Sequence, residues 1–135
     1  MKFTEATNTL LQKGNFVLFY PEQAMWWNYR KPRPLKPGAY KFAVKNNVPV
    51  LPCFITMKDS DILGEDLRRE ITDFDVSENF IPDGFYVQEY TIHIGEPIYP
   101  KENSSVRENT EYMANSNFDI WKSFYESEYA MPLEY

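Results

Sequence analysis

Five consecutive apolar residues, Phe16-Val17-Leu18-Phe19-Tyr20, sit between the turn pair Gly14-Asn15 and Pro21. An unbroken apolar run of that length predicts a strand buried on both faces, and hence a central position in a sheet. The next forty residues narrow the architecture further. A polar, aromatic and proline-rich loop from Pro21 to Pro37 precedes a short helical pattern, Gly38 to Asn46. A second apolar run, Val48 to Met57, comes after it. Helix, strand, helix and strand in that order predict an α/β fold, with three to four strands in a mostly parallel or mixed sheet flanked by helices. At 135 residues the chain forms one domain with a modest core.

The other elements fit that frame. Thr4 to Lys13 predicts a first helix, with Thr4 as cap, Glu5 complementing the dipole and Gly14 as left-handed stop. Pro37 opens the second helix at a position that needs no amide donor, and Asn46-Asn47 stop it. Ala39, Phe42 and Ala43 give that helix its inward side, while Lys36, Lys41 and Lys45 face solvent or a ligand. Between Lys58 and Phe85 the pattern is weak: Asp66 to Glu70 suits a helical turn and Pro82-Asp83-Gly84 a chain reversal. Phe85 to Ile94 alternates as a strand with one buried and one partly exposed face. The closing helix is capped by Ser104 or Ser105, with Ser105 and Glu108 at capping-box spacing. Its stripe of Val106, Tyr112, Met113, Ile120, Trp121, Phe124 and Tyr125 reads as core packing, and Pro132 ends it.

Composition excludes several classes of function. A net charge of -6 argues against nucleic acid as the principal partner, because phosphate binding needs a dominant basic surface. The single cysteine, Cys53, excludes an internal disulfide framework and reads as a buried, inert thiol in a reducing compartment. The N-terminal residues lack the apolar core of a signal peptide, and the longest apolar run is interrupted by two prolines. The expectation is a cytoplasmic protein that can touch the inner face of a membrane. No metal-ligand spacing, glycine-rich phosphate loop or Gly-x-Ser-x-Gly elbow occurs in the chain.

The residues that could carry chemistry cluster after the first apolar run. Glu22, past a strand end and a proline, suits a crevice at the carboxyl edge of a sheet. There it can accept hydrogen bonds from substrate hydroxyls or orient a cation such as Arg30; a plain loop carboxylate paired with Arg or Lys is the other reading. Arg30, Lys31, Arg33 and Lys36 lie within seven residues and suit a phosphate or another anion, or simply a solvated loop balancing an acidic protein. Trp26 and Trp27 beside those cations suit a ligand or a membrane interface. His93 is the one histidine, lies mid-strand, and reads as a hydrogen-bonded structural residue.

Taken together, these pieces resemble the phospholipid/glycerol acyltransferase family, which includes bacterial 1-acyl-glycerol-3-phosphate acyltransferases. Phe19-Tyr20-Pro21-Glu22 resembles the Phe-Pro-Glu-Gly signature. Leu35-Lys36-Pro37-Gly38-Ala39 with Phe42-Ala43 is similar to the lysine-glycine-alanine helix. Val48-Pro49-Val50-Leu51-Pro52 is similar to the last motif, and Ile94-Gly95-Glu96-Pro97-Ile98 to the Gly-Glu-Pro-Ile exit. The resemblance covers about Leu10 to Tyr99. It implies acyl transfer from acyl-CoA or acyl carrier protein to a glycerol-phosphate hydroxyl, with no other cofactor. On that reading Tyr20, Pro21, Glu22 and Gln23 line the acceptor side, Glu22 contacts the glycerol part, and Val48, Pro49 and Val50 line the acyl side.

Two departures alter the implication. The signature continues Gly-Thr-Arg-Ser in the family, whereas this chain has Gln23-Ala24-Met25-Trp26. The phosphate-binding arginine therefore has no counterpart in register, and Arg30 or Arg33, with Lys31 and Lys36, could substitute from further along the loop. The family's catalytic Asn-His-x-x-x-x-Asp motif is absent from the sequence, and His93 lies on the wrong side of Pro-Glu to stand in for it. The expectation is the C-terminal half of an acyltransferase domain, inactive alone; a gene fragment or a mis-assigned start codon would read the same. The alternatives are a non-catalytic anion- or lipid-binding remnant using the Trp-rich basic loop, and a chain completing the site of a partner that carries the histidine half. Truncation also implies an exposed strand edge or apolar face, and so self-association.

Overall fold

The computed structural model describes residues 3–22, 30–59 and 88–134. Over these residues the chain is a small α/β protein with three helices and a two-stranded sheet. Helix α1 spans Phe3–Gln12, α2 spans Gly38–Asn46, strand β1 spans Cys53–Asp59, β2 spans Gln88–Ile94, and α3 spans Val106–Tyr129. The strands run antiparallel, in a register that places Ile55 opposite Ile92 and Phe54 opposite His93. Among the described residues the sheet is thus neither parallel nor wider than two strands, while the α/β class holds. The Asp66 to Glu70 turn and the Pro82-Asp83-Gly84 reversal lie outside the described residues.

Local chemistry explains the helix boundaries. Gly14, at φ 76°, takes the left-handed turn after α1, although the helix begins at Phe3 and leaves Thr4 inside its first turn. Pro37 stands at the N-cap of α2 rather than within it, and Asn47 closes the helix in the left-handed conformation at φ 50°. Ser105 and Glu108 form a reciprocal capping box on α3: the Glu108 N–H donates to Ser105 Oγ at 3.2 Å. The Ser105 N–H donates in return to Glu108 Oε2 at 2.8 Å.

The core forms on α3. Tyr40 and Ala43 of α2 meet Ile98 and Met113 in one buried cluster, and Phe54, Trp121 and Tyr125 form a second. Phe54 and Trp121 lie 5.4 Å apart between ring centroids. Tyr129 fastens β1 to the end of α3, its hydroxyl accepting from Met57 N–H and donating to Met57 C=O, both at 2.8 Å. Where β2 ends, Gly95 comes so close to α3 that a Cβ would stand 2.8 Å from Ile120 Cγ2. Asn109, buried in α3, pairs with Lys101 like a second strand of backbone: Lys101 N–H donates to Oδ1 at 2.7 Å and Nδ2 donates to Lys101 C=O at 2.9 Å.

Three expectations fail here. Phe16 to Tyr20 is not a buried central strand: it has no regular secondary structure, and Phe16 is 96% and Leu18 74% exposed. An apolar run is buried only where neighbours cover it, and no other described strand lies beside it. The second strand begins at Cys53, not Val48, because Pro49 and Pro52 have no N–H to give to a ladder. Only Val50 contributes earlier, through a single bridge to Ile98. Cys53 is exposed rather than buried, since alternation turns it away from α3 while Phe54 points in.

Candidate functional site

The most chemically varied corner lies where the Pro21 to Pro37 loop returns to α2. The loop closes on itself through backbone: Lys36 N–H donates to Pro21 C=O at 2.8 Å. Glu22 braces the same closure, its Oε1 accepting the Arg33 N–H at 2.9 Å. Pro32, the residue before Arg33, is fully buried. Glu22 therefore partners the backbone of Arg33 rather than the side chain of Arg30. Burial pushes the Glu22 carboxyl above its ordinary value, against the opposing pull of the Arg33 N–H and guanidinium. Tyr40 is 1% exposed, and its hydroxyl finds no hydrogen-bond partner among the described residues. Burial, and then the nearby Glu22 carboxylate, hold that hydroxyl protonated well above the usual phenol range.

Beside this brace opens a cleft of about 200 Å³, walled by Phe3, Phe19 and Phe42 and closed by Tyr20, Pro21, Lys36, Gly38 and Ala39. Its aromatic wall is ordered by ring geometry. Phe19 stacks on Phe42 at 5.7 Å and 18° between planes, and Phe3 meets both edge-on. The cleft is thereby built from α1, the end of the Phe16 to Tyr20 segment and the first turn of α2. Asn46 Nδ2 donates to Asn8 Oδ1 at 2.9 Å and locks the two helices together.

The same lining carries a helix start and a cation. Proline at the N-cap offers no side-chain hydrogen bond, so the first N–H groups of α2 at Gly38 and Ala39 have no capping oxygen. Beyond its chain neighbours and its own helix backbone, no described residue comes within 4 Å of where a Gly38 Cβ would be. Lys36, exposed, adds a full charge to the same lining. The volume equals that of roughly seven waters, smaller than an ordinary drug-sized pocket. It suits a headgroup or a few methylenes rather than a whole lipid.

The residues singled out in the sequence are only partly brought together. Tyr20, Pro21 and Lys36 line the cleft, and Glu22 comes directly after Pro21. Lys31 is drawn elsewhere, its Nζ donating to Glu134 C=O at 2.6 Å. Arg30 and Arg33 are half-buried and do not line the cleft. Val48 and Val50 pack against the α2–α3 core, and Pro49 is exposed, so none of the three lines this cleft. Gln23, Trp26 and Trp27 lie outside the described residues.

His93 is engaged well away from the cleft lining. Its Nε2 lies 2.7 Å from Thr56 Oγ1 and 3.7 Å from Glu128 Oε2, and its ring stacks on Phe124 at 5.0 Å. Both contacts fall on the same nitrogen, so this is a structural tie between β2 and α3 rather than a nucleophile–base–acid relay. Glu128 was not legible as the partner, because the pairing crosses from strand to helix. Phe3 and Phe42 were legible only as helix faces, although their aromatic type was the available signal.

Among the described residues no group of His, Cys, Asp or Glu could hold a metal ion, and no helix is long and apolar enough to cross a membrane. The chain matches no protein-family model, no curated protein and no solved structure.

Proposed function

We propose that this chain binds the anionic glycerol-phosphate end of a lipid, as the acceptor side of an acyltransferase-like domain, and transfers no acyl group by itself. The observation that carries the reading is a juxtaposition: a helix start without a side-chain cap at Gly38 and Ala39, and the cation Lys36, line one cleft with the aromatic rings of Phe3, Phe19 and Phe42. Such a cleft pairs a phosphate with apolar chain, which is the chemistry of a lysophospholipid. Glu22, one residue past the Pro21 of the lining and bonded through Oε1 to the Arg33 N–H, is the carboxylate this reading assigns to a glycerol hydroxyl. The Phe-Tyr-Pro-Glu and Lys-Pro-Gly-Ala resemblances fall on the same corner, which supports the acyltransferase reading.

Transfer itself needs a base for the acceptor hydroxyl, and the chain's one histidine is tied to Thr56 beneath α3. On this reading acyl-CoA or acyl carrier protein is the donor in a complete domain, whose sheet has three to four mostly parallel or mixed strands. A membrane surface supplies the acceptor.

Calorimetry with glycerol 3-phosphate, inorganic phosphate and lysophosphatidate tests this. The expected order is lysophosphatidate tighter than glycerol 3-phosphate, with Lys36→Ala weakening both several-fold and Glu22→Gln weakening glycerol 3-phosphate more than inorganic phosphate. Equal affinity for inorganic phosphate and lysophosphatidate refutes the lipid reading. Acyl transfer above background by the 135-residue chain refutes its inactivity.

A further inference from the structure

The β1–β2 sheet has two unlike faces. One packs on α3 through Phe54, Thr56 and His93. The other carries the directly opposed pairs Cys53–Ile94, Ile55–Ile92 and Met57–Tyr90, and the same register ends at Asp59–Gln88. Ile55 is 50%, Tyr90 53%, Ile92 65% and Ile94 64% exposed. Apolar residues opposite one another across an antiparallel pair form a continuous surface. These fractions leave on the order of 500 Å² of apolar side chain open, at the top of what a monomer usually shows in one patch.

We propose that this outer face is where two copies of the chain pack, sheet against sheet, about a two-fold axis. The area selects that occupant. Two such faces together remove about 1,000 Å² from water, which reaches the lower limit for a specific interface. The three inner pairs bear no charged side chain and Asp59 comes only at the end of the register, so the centre of a like-on-like contact buries no unpaired charge. The same lack of cations in these pairs, in a chain of net charge -6, disfavours an anionic bilayer as the occupant. A two-fold axis near the Ile55–Ile92 pair sets each copy's isoleucines against the other's, the self-complementary arrangement that cyclic dimers require. Open sheets stack about 10 Å apart with strands about 30° from alignment, and β-branched and tyrosine side chains fill such a gap. The surface lies on the sheet and not on the α1–α2 cleft, so this inference is independent of the proposed ligand.

Sedimentation equilibrium over roughly 1 to 200 µM tests it, because a dimer with a small interface dissociates on dilution. The expected result is a monomer–dimer equilibrium in which Ile92→Lys, at an exposed position, keeps the native circular dichroism and raises Kd at least about tenfold. Glu22→Gln leaves Kd unchanged. Cys53 supplies a second readout that needs no core or surface substitution: its maleimide reaction should slow several-fold between the dilute and concentrated limits as the face closes over it. A monomer throughout, a Kd indifferent to both Ile92→Lys and Ile55→Lys in folded protein, or a Cys53 rate independent of concentration overturns the proposal.

Discussion

Gly95→Ala is the most direct test of how the sheet meets α3. The added Cβ would stand 2.8 Å from Ile120 Cγ2 and 3.4 Å from Pro52 Cβ, on a strand end tied down by the Gly95 N–H to Pro52 C=O bond of 2.9 Å. Ile120 has little room to yield, since a β-branched side chain in a helix holds essentially one χ1 rotamer. Gly95 does not take a positive φ, so the backbone itself tolerates alanine. Alanine would then gain about 0.4–1 kcal/mol from a less disordered unfolded chain, set against about 1–3 kcal/mol for overpacking. The expected net loss is about 1–2 kcal/mol. With a urea m-value of about 2 kcal/mol/M, the unfolding midpoint falls by about 0.5–1 M. The decisive arm is the double variant. Ile120→Ala removes the obstructing methyl at its own cost of about 1–2 kcal/mol for a half-buried site, and on that background Gly95→Ala should cost nothing further. Ile120→Val keeps a Cγ2 and should keep the penalty. Wild-type stability for Gly95→Ala, or a penalty that persists undiminished over Ile120→Ala, would refute the contact.

Three further outcomes can be measured by the same unfolding assay. Asn109→Ala leaves the Lys101 N–H and C=O without their partner and should cost about 2–3 kcal/mol, more than an exposed asparagine could. Ser105→Ala should cost about 1 kcal/mol at neutral pH. The Ser105 hydroxyl and then its N–H hold the Glu108 carboxyl below its ordinary 4.5, so that stabilisation is present above 4.5 and fades as pH falls through the lowered value. The gap between wild type and Ser105→Ala should therefore narrow in acid. Glu22 has the opposite sign: burial raises its carboxyl, so its contribution is full below the ordinary 4.5 and is lost as pH rises through the raised value. Glu22→Gln, which keeps an oxygen for the Arg33 N–H, should gain stability relative to wild type between pH 4 and pH 7, and a gap that does not change with pH would contradict the burial.

The difference between the two kinds of residue is one of range. Ser105 and Glu108, Pro37 at the start of α2, and Gly14 and Asn47 at helix ends act within a few residues of themselves. Backbone geometry and capping chemistry therefore made them readable from sequence, and α2 and α3 lie where those residues set them. The buried stripe of Met113, Trp121 and Tyr125 was equally legible, because a 3.6-residue period needs only the helix to be interpreted. Asn109 shares the buried face and was not legible, since its partner, the Lys101 backbone, is chosen by folding.

The candidate site divides the same way. Pro21, Glu22 and Lys36 stood out by type and spacing, but the aromatic wall that turns them into a cleft comes from α1 and α2, distant in sequence. Sequence by itself determined the helices, the ends set by Gly14, Asn47 and Ser105, the acidic balance of the chain and the basic loop. Only the tertiary structure decided which apolar surfaces are covered. Phe16, Leu18 and Tyr20, like Ile55, Ile92 and Ile94, have the composition of buried strands, yet stand open. Hydrophobicity drives a side chain out of water but names no partner, and burial is fixed by which surfaces the rest of the fold brings within contact.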